Sequence, residues 1–378
     1  MGFVPIIVLF VFFALNMPVA FSLILSTLSY FLFINTSMPV DMIFQRMISS
    51  AESFPLLAVP FFITAGAVMN YSGISSRLMD MAEVVSGHLY GGLAQVNVVL
   101  STMMGGVSGS ANADAAMESK ILVPQMVKRG MSPAFSAAVT ATSSVITPII
   151  PPGIGLIIYA FMADASVGKM FIGGYVPGIL LCGALMVAVG IVSKKRDYQP
   201  TRARRATGRE ILRQLRHSSW ALFLPFGIIL GLRFGMFTPT EAGAMTVVYS
   251  LLVGFFVYRE LKPRHIPGII VESVLGTAAV MLIICAASAF GYYMSWERLP
   301  QKITEHLLTI TKNPWILLLL INGFLLFIGM FIEGTASLII LTPLLVPAVT
   351  ALGIDPIHFG FVMVVTLTIG GVRPPFGT

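Results

Sequence analysis

The sequence predicts an all-α polytopic membrane protein, and three observations support this fold class. Hydrophobic residues make up 56% of the 378 residues and charged residues only 10%, whereas soluble domains carry roughly 25% charged residues. The mean hydropathy is +0.90. Apolar runs of about 20 residues, the length that crosses a bilayer core, recur along the chain and predict about ten membrane elements.

The N-terminal stretch "MGFVPIIVLFVFFALNMPVAF" is predicted to be the first of these elements. A secretory signal peptide carries a basic region ahead of its apolar core, and the first basic residue here is Arg46. We therefore expect this stretch to be a membrane segment that the protein retains.

The chain then repeats itself at a distance of about 223 residues. "LVPQMVKRGMSPAF" overlays "LVPAVTALGIDPIH" at this shift without a gap. Five Gly or Pro positions coincide: Gly130 with Gly353, Pro124 with Pro347, Pro133 with Pro356, Pro151 with Pro374, and Pro152 with Pro375. This concentration favours an internal duplication. We predict a first repeat over 1–193 and a second over 218–378, joined by a linker over 194–217.

The linker predicts the topology. It contains nine basic residues: Lys194, Lys195, Arg196, Arg202, Arg204, Arg205, Arg209, Arg213 and Arg216. Short loops rich in Lys and Arg stay in the cytoplasm, so the net charge of +7 does not require a nucleic-acid partner. Binding of anionic lipid headgroups by this loop is a second interpretation.

Counting crossings from the cytoplasmic linker gives the two repeats opposite orientations. Lys128, Arg129 and Arg259 then lie inside, while Asn313 and Gly353 lie outside. Inverted repeats are typical of secondary transporters, whose sites lie at mid-membrane between broken helices.

Each repeat is predicted to contain a re-entrant helical hairpin, over 92–128 and 315–352. The hairpins turn at polar tips, "SGSANAD" (108–114) and "EGTAS" (333–337). Non-helical backbone at this depth is tolerated only where protein or a wet cavity surrounds it.

Each hairpin is followed by a helix that is predicted to break at paired prolines, within 133–163 and 357–378. The breaks lie in "TPIIPPGIG" and "GGVRPPFGT", and Pro ends the helix before it by removing a backbone donor. Free carbonyls at one half-helix and the positive dipole end of the next suit a cation and an anion respectively.

A simpler interpretation is that small polar side chains pack between helices and that each proline is only a kink. Asp114 and Glu333 argue against it, because a carboxylate in the hydrocarbon region costs at least ~2.5 to 3.5 kcal/mol and is by default a functional group. The two symmetric breaks, each following a polar hairpin, also favour a pair of sites.

Oxygen ligands from the tips and breaks suit Na⁺ as the bound ion. The first predicted sodium site comprises Ser108, Gly109, Ser110, Asn112, Asp114, Thr147, Pro148, Pro151 and Gly153. The second comprises Glu333, Gly334, Thr335, Ser337, Gly370, Gly371 and Pro374. The residues predicted to contact substrate between them are Ser110, Asn112, Pro152, Thr335 and Arg373.

Other chemistry has weak support in the sequence. Cys182 and Cys285 lie in apolar stretches without metal-ligand spacing, and the five histidines are scattered. "GVSGS" lacks the last Gly of a nucleophile elbow, and Gly168-Lys169 lacks the rest of a nucleotide-binding loop. We therefore expect that the protein is not an enzyme and that it binds neither a transition metal nor a nucleotide.

The stretch "GGVSGSANADAAMESKILVPQMVKRGMSPAFSAAVTATSSVITPIIPPGIGLIIY" resembles the large, DctM-type membrane subunit of tripartite ATP-independent periplasmic (TRAP) transporters. "ESFPLLAVPFFITAGAVMNYSGIS", "FTPTEAGA" and "LTPLLVPAVTALGIDPIHFGFVMVVTLTIG" are also similar to that family. The resemblance implies an elevator-type, Na⁺-driven importer of organic acids in the bacterial inner membrane. It also implies two partners, a small four-helix membrane subunit (DctQ-type) and a periplasmic substrate-binding protein (DctP-type).

Two features depart from the family pattern. Arg373 stands where members usually carry a small or hydroxyl residue, and its charge would either repel the second Na⁺ or bind a substrate carboxylate. Relatives continue past the second break with a half-helix and a final crossing, which the residues up to Thr378 do not include. A channel built on re-entrant hairpins is the alternative function.

Overall fold

The computed structural model describes residues 2–36 and 39–373, and every regular element within these ranges is helical. The first part contains α1 (Val4–Ala14), α2 (Val19–Phe33), α3 (Asp41–Ala51), α4 (Ala58–Ser72), α5 (Ile74–Ser86), α6 (Gly92–Met104), α7 (Ala111–Lys128), α8 (Pro133–Ser143), α9 (Ile154–Met162) and α10 (Val167–Lys195). The second part contains α11 (Gly208–His217), α12 (Ser219–Arg233), α13 (Pro239–Leu252), α14 (Ile266–Trp296), α15 (Leu299–Ile310), α16 (Pro314–Gly329), α17 (Gly334–Ala351) and α18 (Pro356–Gly370).

Several of these helices can cross a membrane. Within the described residues, five helical stretches are long and apolar enough: Phe54–Ser72, Val167–Lys195, Pro239–Val257, Pro263–Trp296 and Gly334–Ala351. The bent pairs α11 with α12 and α15 with α16 raise the number to seven if each pair is one span. The prediction of an all-α polytopic membrane protein is confirmed.

The long helices differ in how deeply they are buried. In the most apolar stretches of α10 and α14, 17% and 22% of the residues are buried, against 61% in α17. Exposed apolar side chains are the expected surface of a helix that faces lipid, since lipid tails are as apolar as the side chains. Helices α10 and α14 therefore lie at the periphery, and α17 lies at the centre.

The most extensive helix contacts form two groups, which also touch each other through α14 with α17 and α4 with α9. In one, α4 packs against both α13 and α14, and α2 packs against α14. In the other, α17 contacts α9, α15 and α18, while α8 contacts α6 and α7. Helix α10 contacts α6, α9 and α18 of the second group and also α12.

The aligned glycine of the sequence repeat has the same structural role in both copies. Gly130 and Gly353 have φ values of 87° and 76° and end α7 and α17. After each glycine the next amide donates back into the helix, Met131 N–H to Met126 C=O at 3.1 Å and Ile354 N–H to Val349 C=O at 3.1 Å. This is the Schellman closure that glycine permits because it has no Cβ.

The following helices also begin alike. Ser132 and Asp355 are the N-caps of α8 and α18, and their side chains accept hydrogen bonds from the first helical turn. Pro133 and Pro356 occupy the first helical position, where the missing N–H is tolerated.

The predicted hairpin and broken-helix segments consist of the following elements. Residues 92–128 form α6 and α7 around the tip, and residues 315–352 fall in α16 and α17. Residues 133–163 form α8, a short 3-10 turn, an irregular break and α9. In 357–378 the structure describes α18 and the turn up to Arg373; Pro374 and the rest of that predicted broken helix lie outside the described residues.

The linker holds a helix that the sequence analysis did not predict. Thr207 and Glu210 form a capping box at the start of α11: the Thr207 hydroxyl accepts from the Glu210 amide, and the Glu210 carboxylate accepts from the Thr207 amide. Such a reciprocal pair satisfies two amides that a helix start otherwise leaves unpaired. The pKa of Glu210 is lowered, first by this Thr207 amide and then by the charges of Arg202 and Arg204.

Candidate functional site

Both polar tips line one cavity of about 290 Å³. The first tip contributes Gly109, Ser110 and Asn112, and the second contributes Glu333, Gly334 and Thr335. The remaining wall comes from the break and α9, from α14, and from α16 to α18; it includes Ser144, Pro148, Ile154, Gly155, Ala279, Val280, Ile283, Gly329, Leu338, Val364, Leu367, Thr368 and Gly371. The fold thus brings together two segments more than 200 residues apart in sequence.

Three helix N-termini meet at this cavity. Helix α7 begins next to Ser110, α17 begins at Gly334, and α9 begins at Ile154. The first turn of a helix has unpaired N–H groups and the positive end of the helix dipole. The cavity is therefore suited to an anionic group.

The first tip is held against the proline break by direct backbone contact. The Ile154 N–H donates to the Gly109 carbonyl at 3.3 Å. Gly109 has a φ of 60°, and a Cβ at this position would overlap the carbonyl oxygen of Pro152. Gly153 is constrained in the same way by the carbonyl of Pro148. Glycine at 109 allows the tip to touch the break, and glycine at 153 allows the break itself to fold tightly.

Behind the first tip lies a buried cluster of oxygen atoms. Asp114 is 1% exposed, and the Thr147 hydroxyl lies 2.7 Å from its Oδ2 and 3.2 Å from the Ser101 carbonyl oxygen. Within the described residues, Asp114 Oδ1 and Ser108 Oγ are buried without a hydrogen-bond partner. The cluster therefore has lone pairs available for a further ligand.

Glu118 extends this cluster, and the sequence analysis missed it. It lies one helical turn after Asp114, is 0% exposed, and its carboxylate oxygens lie 2.9 and 3.0 Å from the Ser101 hydroxyl. No basic side chain forms an ion pair with either carboxylate in the part of the chain that is described. The i, i+4 spacing of the two acids was the available signal, since it places both on one face of a helix.

Further polar residues complete the cluster between α6 and α8. The Asn97 amide donates to the Thr140 hydroxyl at 2.8 Å, and the Ser143 hydroxyl donates to the Asn97 carbonyl oxygen at 2.6 Å. Asn97, Thr140 and Ser143 are all buried. They fix α6 against α8 and so position Ser101 beside the carboxylates.

The second tip is built differently. Glu333 is exposed and is the N-cap of α17, where its side chain accepts from the Ala336 amide at 3.0 Å and the Thr335 hydroxyl at 2.8 Å. Ser337 is 1% exposed and its hydroxyl donates to the Ile332 carbonyl at 3.5 Å. Gly371 lines the cavity, while Gly370 packs against Gly329 of α16 so closely that neither could carry a Cβ.

Some predicted residues lie away from the cavity wall. Thr147 is buried behind the tip, and the Pro151 carbonyl accepts from the Tyr175 hydroxyl at 3.2 Å. Pro152 is buried beside Gly109, and Arg373 is exposed outside the lining residues. Pro374 lies outside the described residues.

The oxygen atoms around the first tip are ligands of the kind that hard cations prefer. They are hydroxyl, carboxylate and carbonyl oxygens, which do not suit metals that prefer nitrogen or sulfur. Over residues 2–36 and 39–373, no group of three His, Cys, Asp or Glu side chains is placed to hold a metal ion. Asp114 Oδ1 is buried without a hydrogen-bond partner in the described chain, so a cation could bind to it.

Comparison with known families decides what kind of membrane protein carries this cavity. The model of the DctM component of tripartite ATP-independent periplasmic transporters matches residues 6–378. The chain belongs to the DctM family of TRAP transporter large permeases. The resemblance noted in the sequence is confirmed, and this DctM chain is a multi-pass membrane protein of a secondary transport system.

Individual relatives of this DctM chain are named for different solutes. The sialic acid TRAP transporter large permease SiaM of Vibrio cholerae is 40% identical, over 96% of this chain and 84% of its own length. The C4-dicarboxylate permease DctM of Pseudomonas aeruginosa is 39% identical over 88% of this chain and 77% of its own. The 2,3-diketo-L-gulonate permease YiaN of Escherichia coli is 34% identical over 96% of this chain and 85% of its own length. All three are named as transporter permeases, which are not enzymes.

Proposed function

We propose that this DctM chain is the Na⁺-coupled permease of a TRAP system that imports an organic acid. The observation that carries the proposal is the single cavity shared by the two polar tips. Solute in this cavity would contact Ser110, Asn112 and Thr335, and the ions would lie in the tips behind it. The solute class is suggested by the relatives: a C4-dicarboxylate, a sialic acid or a sugar acid.

The charge of the cavity gives a reason for ion coupling. Among its described lining residues there is no Lys, Arg or His, while Glu333 is present. An organic anion entering this space meets helix N-termini but also a negative side chain. Na⁺ bound at the tips would supply the missing positive charge, so solute affinity would depend on the ion.

The proposed ion sites use the two tips. Site one would place Na⁺ on Asp114 together with tip hydroxyls and carbonyls, because Asp114 Oδ1 has no other partner in the described chain. Site two would use the Glu333 to Ser337 tip with Gly371 and the residues that follow. Hard oxygen ligands of this kind are appropriate for a monovalent cation.

We further propose that the chain consists of two inverted repeats that work by an elevator motion. Helices α2 and α4 of the first repeat pack against α14 and α13 of the second, which is the exchange expected when a two-fold axis relates the copies. These helices would form the scaffold. The hairpins and broken helices, which contact each other around the cavity, would move together against it.

The proposed setting is the bacterial inner membrane, with the 194–217 linker in the cytoplasm. The family description names a periplasmic, tripartite transporter, which supports two partners. These are a four-helix membrane subunit and a periplasmic binding protein that delivers the solute.

The test is uptake of labelled sialic acid, succinate and 2,3-diketo-L-gulonate into proteoliposomes that hold the whole tripartite system. We expect uptake of one of these acids to require both a Na⁺ gradient and the binding protein. Ser110→Ala should weaken it by about tenfold or less, since one hydroxyl hydrogen bond contributes about 1 kcal/mol. Ser119→Ala, on the exposed face of the same helix, is the matched control.

Two results would contradict the proposal. Uptake that is unchanged when Na⁺ is replaced by K⁺ would exclude the coupling. Non-saturating flux or single-channel conductance would instead support the channel alternative.

A further inference from the structure

Helix α11 of the linker presents three distinct faces. At about 100° per residue, Arg209, Arg213 and Arg216 fall on one face and Ile211, Leu212 and Leu215 on a second. The third face, with Glu210, Gln214 and His217, lies along the groove toward α5. The apolar face thus points away from the protein, with the basic face beside it.

The apolar face is exposed to a degree unusual for a polar linker. Ile211 is 40% exposed, Leu212 66% and Leu215 43%, and no residue of α11 is buried. Three large aliphatic side chains on one exposed stripe are typical of a surface that contacts lipid or another protein.

The direction of α11 is compatible with a position at the membrane surface. The axis of α11 is bent by 75° from the apolar helix α12 that follows it. With α12 taken as the crossing helix of this pair, α11 is nearly perpendicular to it and lies close to the membrane plane. Trp220, 49% exposed at the start of α12, is the type of residue that marks the interface between lipid and water.

The arginines of the basic face form no ion pair within the described residues. The described ion pairs of the linker join Glu210 to Arg202 and Arg204, and none involves Arg209, Arg213 or Arg216. Arg213 and Arg216 also line a groove of about 690 Å³ between α11 and α5, where Asp80 and Glu210 are the acids. Arg209 lies outside this groove and Arg213 and Arg216 lie along it, and all three side chains are exposed to an external anion.

We propose that α11 is an interfacial anchor that binds anionic phospholipids. Ile211, Leu212 and Leu215 insert at the level of the acyl chains, and Arg209, Arg213 and Arg216 contact the phosphate headgroups. This order of apolar and basic stripes is the one that amphipathic helices present to a lipid surface, and Arg attracts anionic headgroups near the bilayer. Gln214 and Ser218 attach the anchor to the body, by the Gln214 amide to Ser218 Oγ at 3.1 Å and the Ser218 hydroxyl to the Arg77 carbonyl at 3.0 Å.

The experiment measures lipid selectivity with spin-labelled phosphatidylglycerol and phosphatidylcholine in vesicles that contain the whole permease. We expect phosphatidylglycerol to associate more strongly with the wild type, and the R209Q/R213Q/R216Q variant to lower this preference by about threefold or more, as does high salt. The control variant R129Q/R259Q/R264Q changes the net charge equally at exposed arginines outside α11 and should keep the preference.

A second measurement locates the apolar face. A nitroxide at Leu212→Cys, with Cys182 and Cys285 replaced by Ala, should collide with oxygen dissolved in the bilayer and be protected from an aqueous nickel complex. Unchanged selectivity in the triple variant, or a water-exposed nitroxide, would overturn the proposal. A nitroxide shielded from both reagents only when the small membrane subunit is present would assign this face to a protein partner instead.

Discussion

The two hairpins have the same helical layout but place their carboxylates differently. In the first, Asp114 lies four residues after the N-cap Ser110, and both Asp114 and Glu118 are buried. In the second, Glu333 is itself the N-cap and is exposed. The residues at the depth of Asp114 and Glu118 are there Ser337 and Leu341, both buried.

The surroundings of α7 and α17 explain this difference. On α7 only Asp114, Glu118, Leu122 and Met126 are buried, a single stripe at every fourth residue. That stripe faces the polar side chains Ser101 and Thr147. Most residues of helix α17 are buried and many of them belong to the hydrophobic core, which could not solvate a carboxylate. Of the two hairpins, only the first therefore has buried carboxylates, those of Asp114 and Glu118.

The largest expected difference between the hairpins concerns Na⁺ dependence. Asp114→Ala should raise the half-saturating Na⁺ concentration for uptake by about 10- to 100-fold, because charge-assisted contacts contribute roughly 1.5 to 3 kcal/mol. Ser337→Ala, at the equivalent depth of the second hairpin, should change it by about threefold or less. Asp114→Asn retains an acceptor for Thr147 without the charge, so its half-saturating Na⁺ concentration should lie between those of the two alanine variants. Equal effects of Asp114→Ala and Ser337→Ala would show that the sites do not differ in charge.

The tip glycines should differ next most strongly. Gly109→Ala introduces a Cβ at φ 60° against the Pro152 carbonyl, and such strain costs about 1 to 3 kcal/mol. Gly334→Ala meets no atom within 4 Å and should be neutral or stabilise by about 0.5 kcal/mol. Thermal unfolding of both variants in the same detergent measures the difference. A stable Gly109→Ala protein would mean that the first tip does not dock against the break.

Leu341 of the second hairpin occupies the position that matches Glu118 of the first. Replacing Glu118 by Leu therefore gives the first hairpin the residue of the second. Glu118→Leu leaves the buried Ser101 hydroxyl without its acceptor and should destabilise the protein by about 1 to 3 kcal/mol. Glu118→Gln keeps an acceptor and should have a smaller effect. Combining Glu118→Leu with Ser101→Ala removes both partners and should recover most of the loss in thermal stability. Additive losses would rule out this pair as the reason.

The smallest expected effect on stability concerns Glu333, the N-cap of α17. Glu333→Ala removes the acceptor for the Ala336 amide and should destabilise α17 by about 1 kcal/mol. Glu333→Ser copies the N-cap of the first hairpin and should preserve stability. The two variants are compared by thermal unfolding, and equal losses would indicate that the charge of Glu333 matters rather than its hydrogen bonds.

The two tips show how far sequence patterns predict a site. "SGSANAD" and "EGTAS" were recognised because polar residues interrupt apolar runs, and the structure places both at one cavity. Asp114 and Glu333 looked equivalent in sequence as acids within apolar segments. They are not equivalent in the structure, because one lies inside a helix and the other caps its end.

Glu118 and α11 show what the patterns missed. Glu118 lies in the polar stretch "MESK", which predicts a solvent-exposed side chain, although its helix face is buried. The linker reads as a basic loop, although Thr207 and Glu210 provide the capping box that starts a helix.

The sequence by itself determined the fold class, the family and the places where helices stop. These depend on composition and on local backbone chemistry: apolar runs, paired prolines, and glycines such as Gly130 and Gly353 that adopt positive φ. Only the tertiary structure decided which acids are buried, which residues face the shared cavity, and that Ser101, Asp114 and Thr147 meet. Burial and solvation depend on neighbours from distant parts of the chain, so a local sequence pattern cannot predict them.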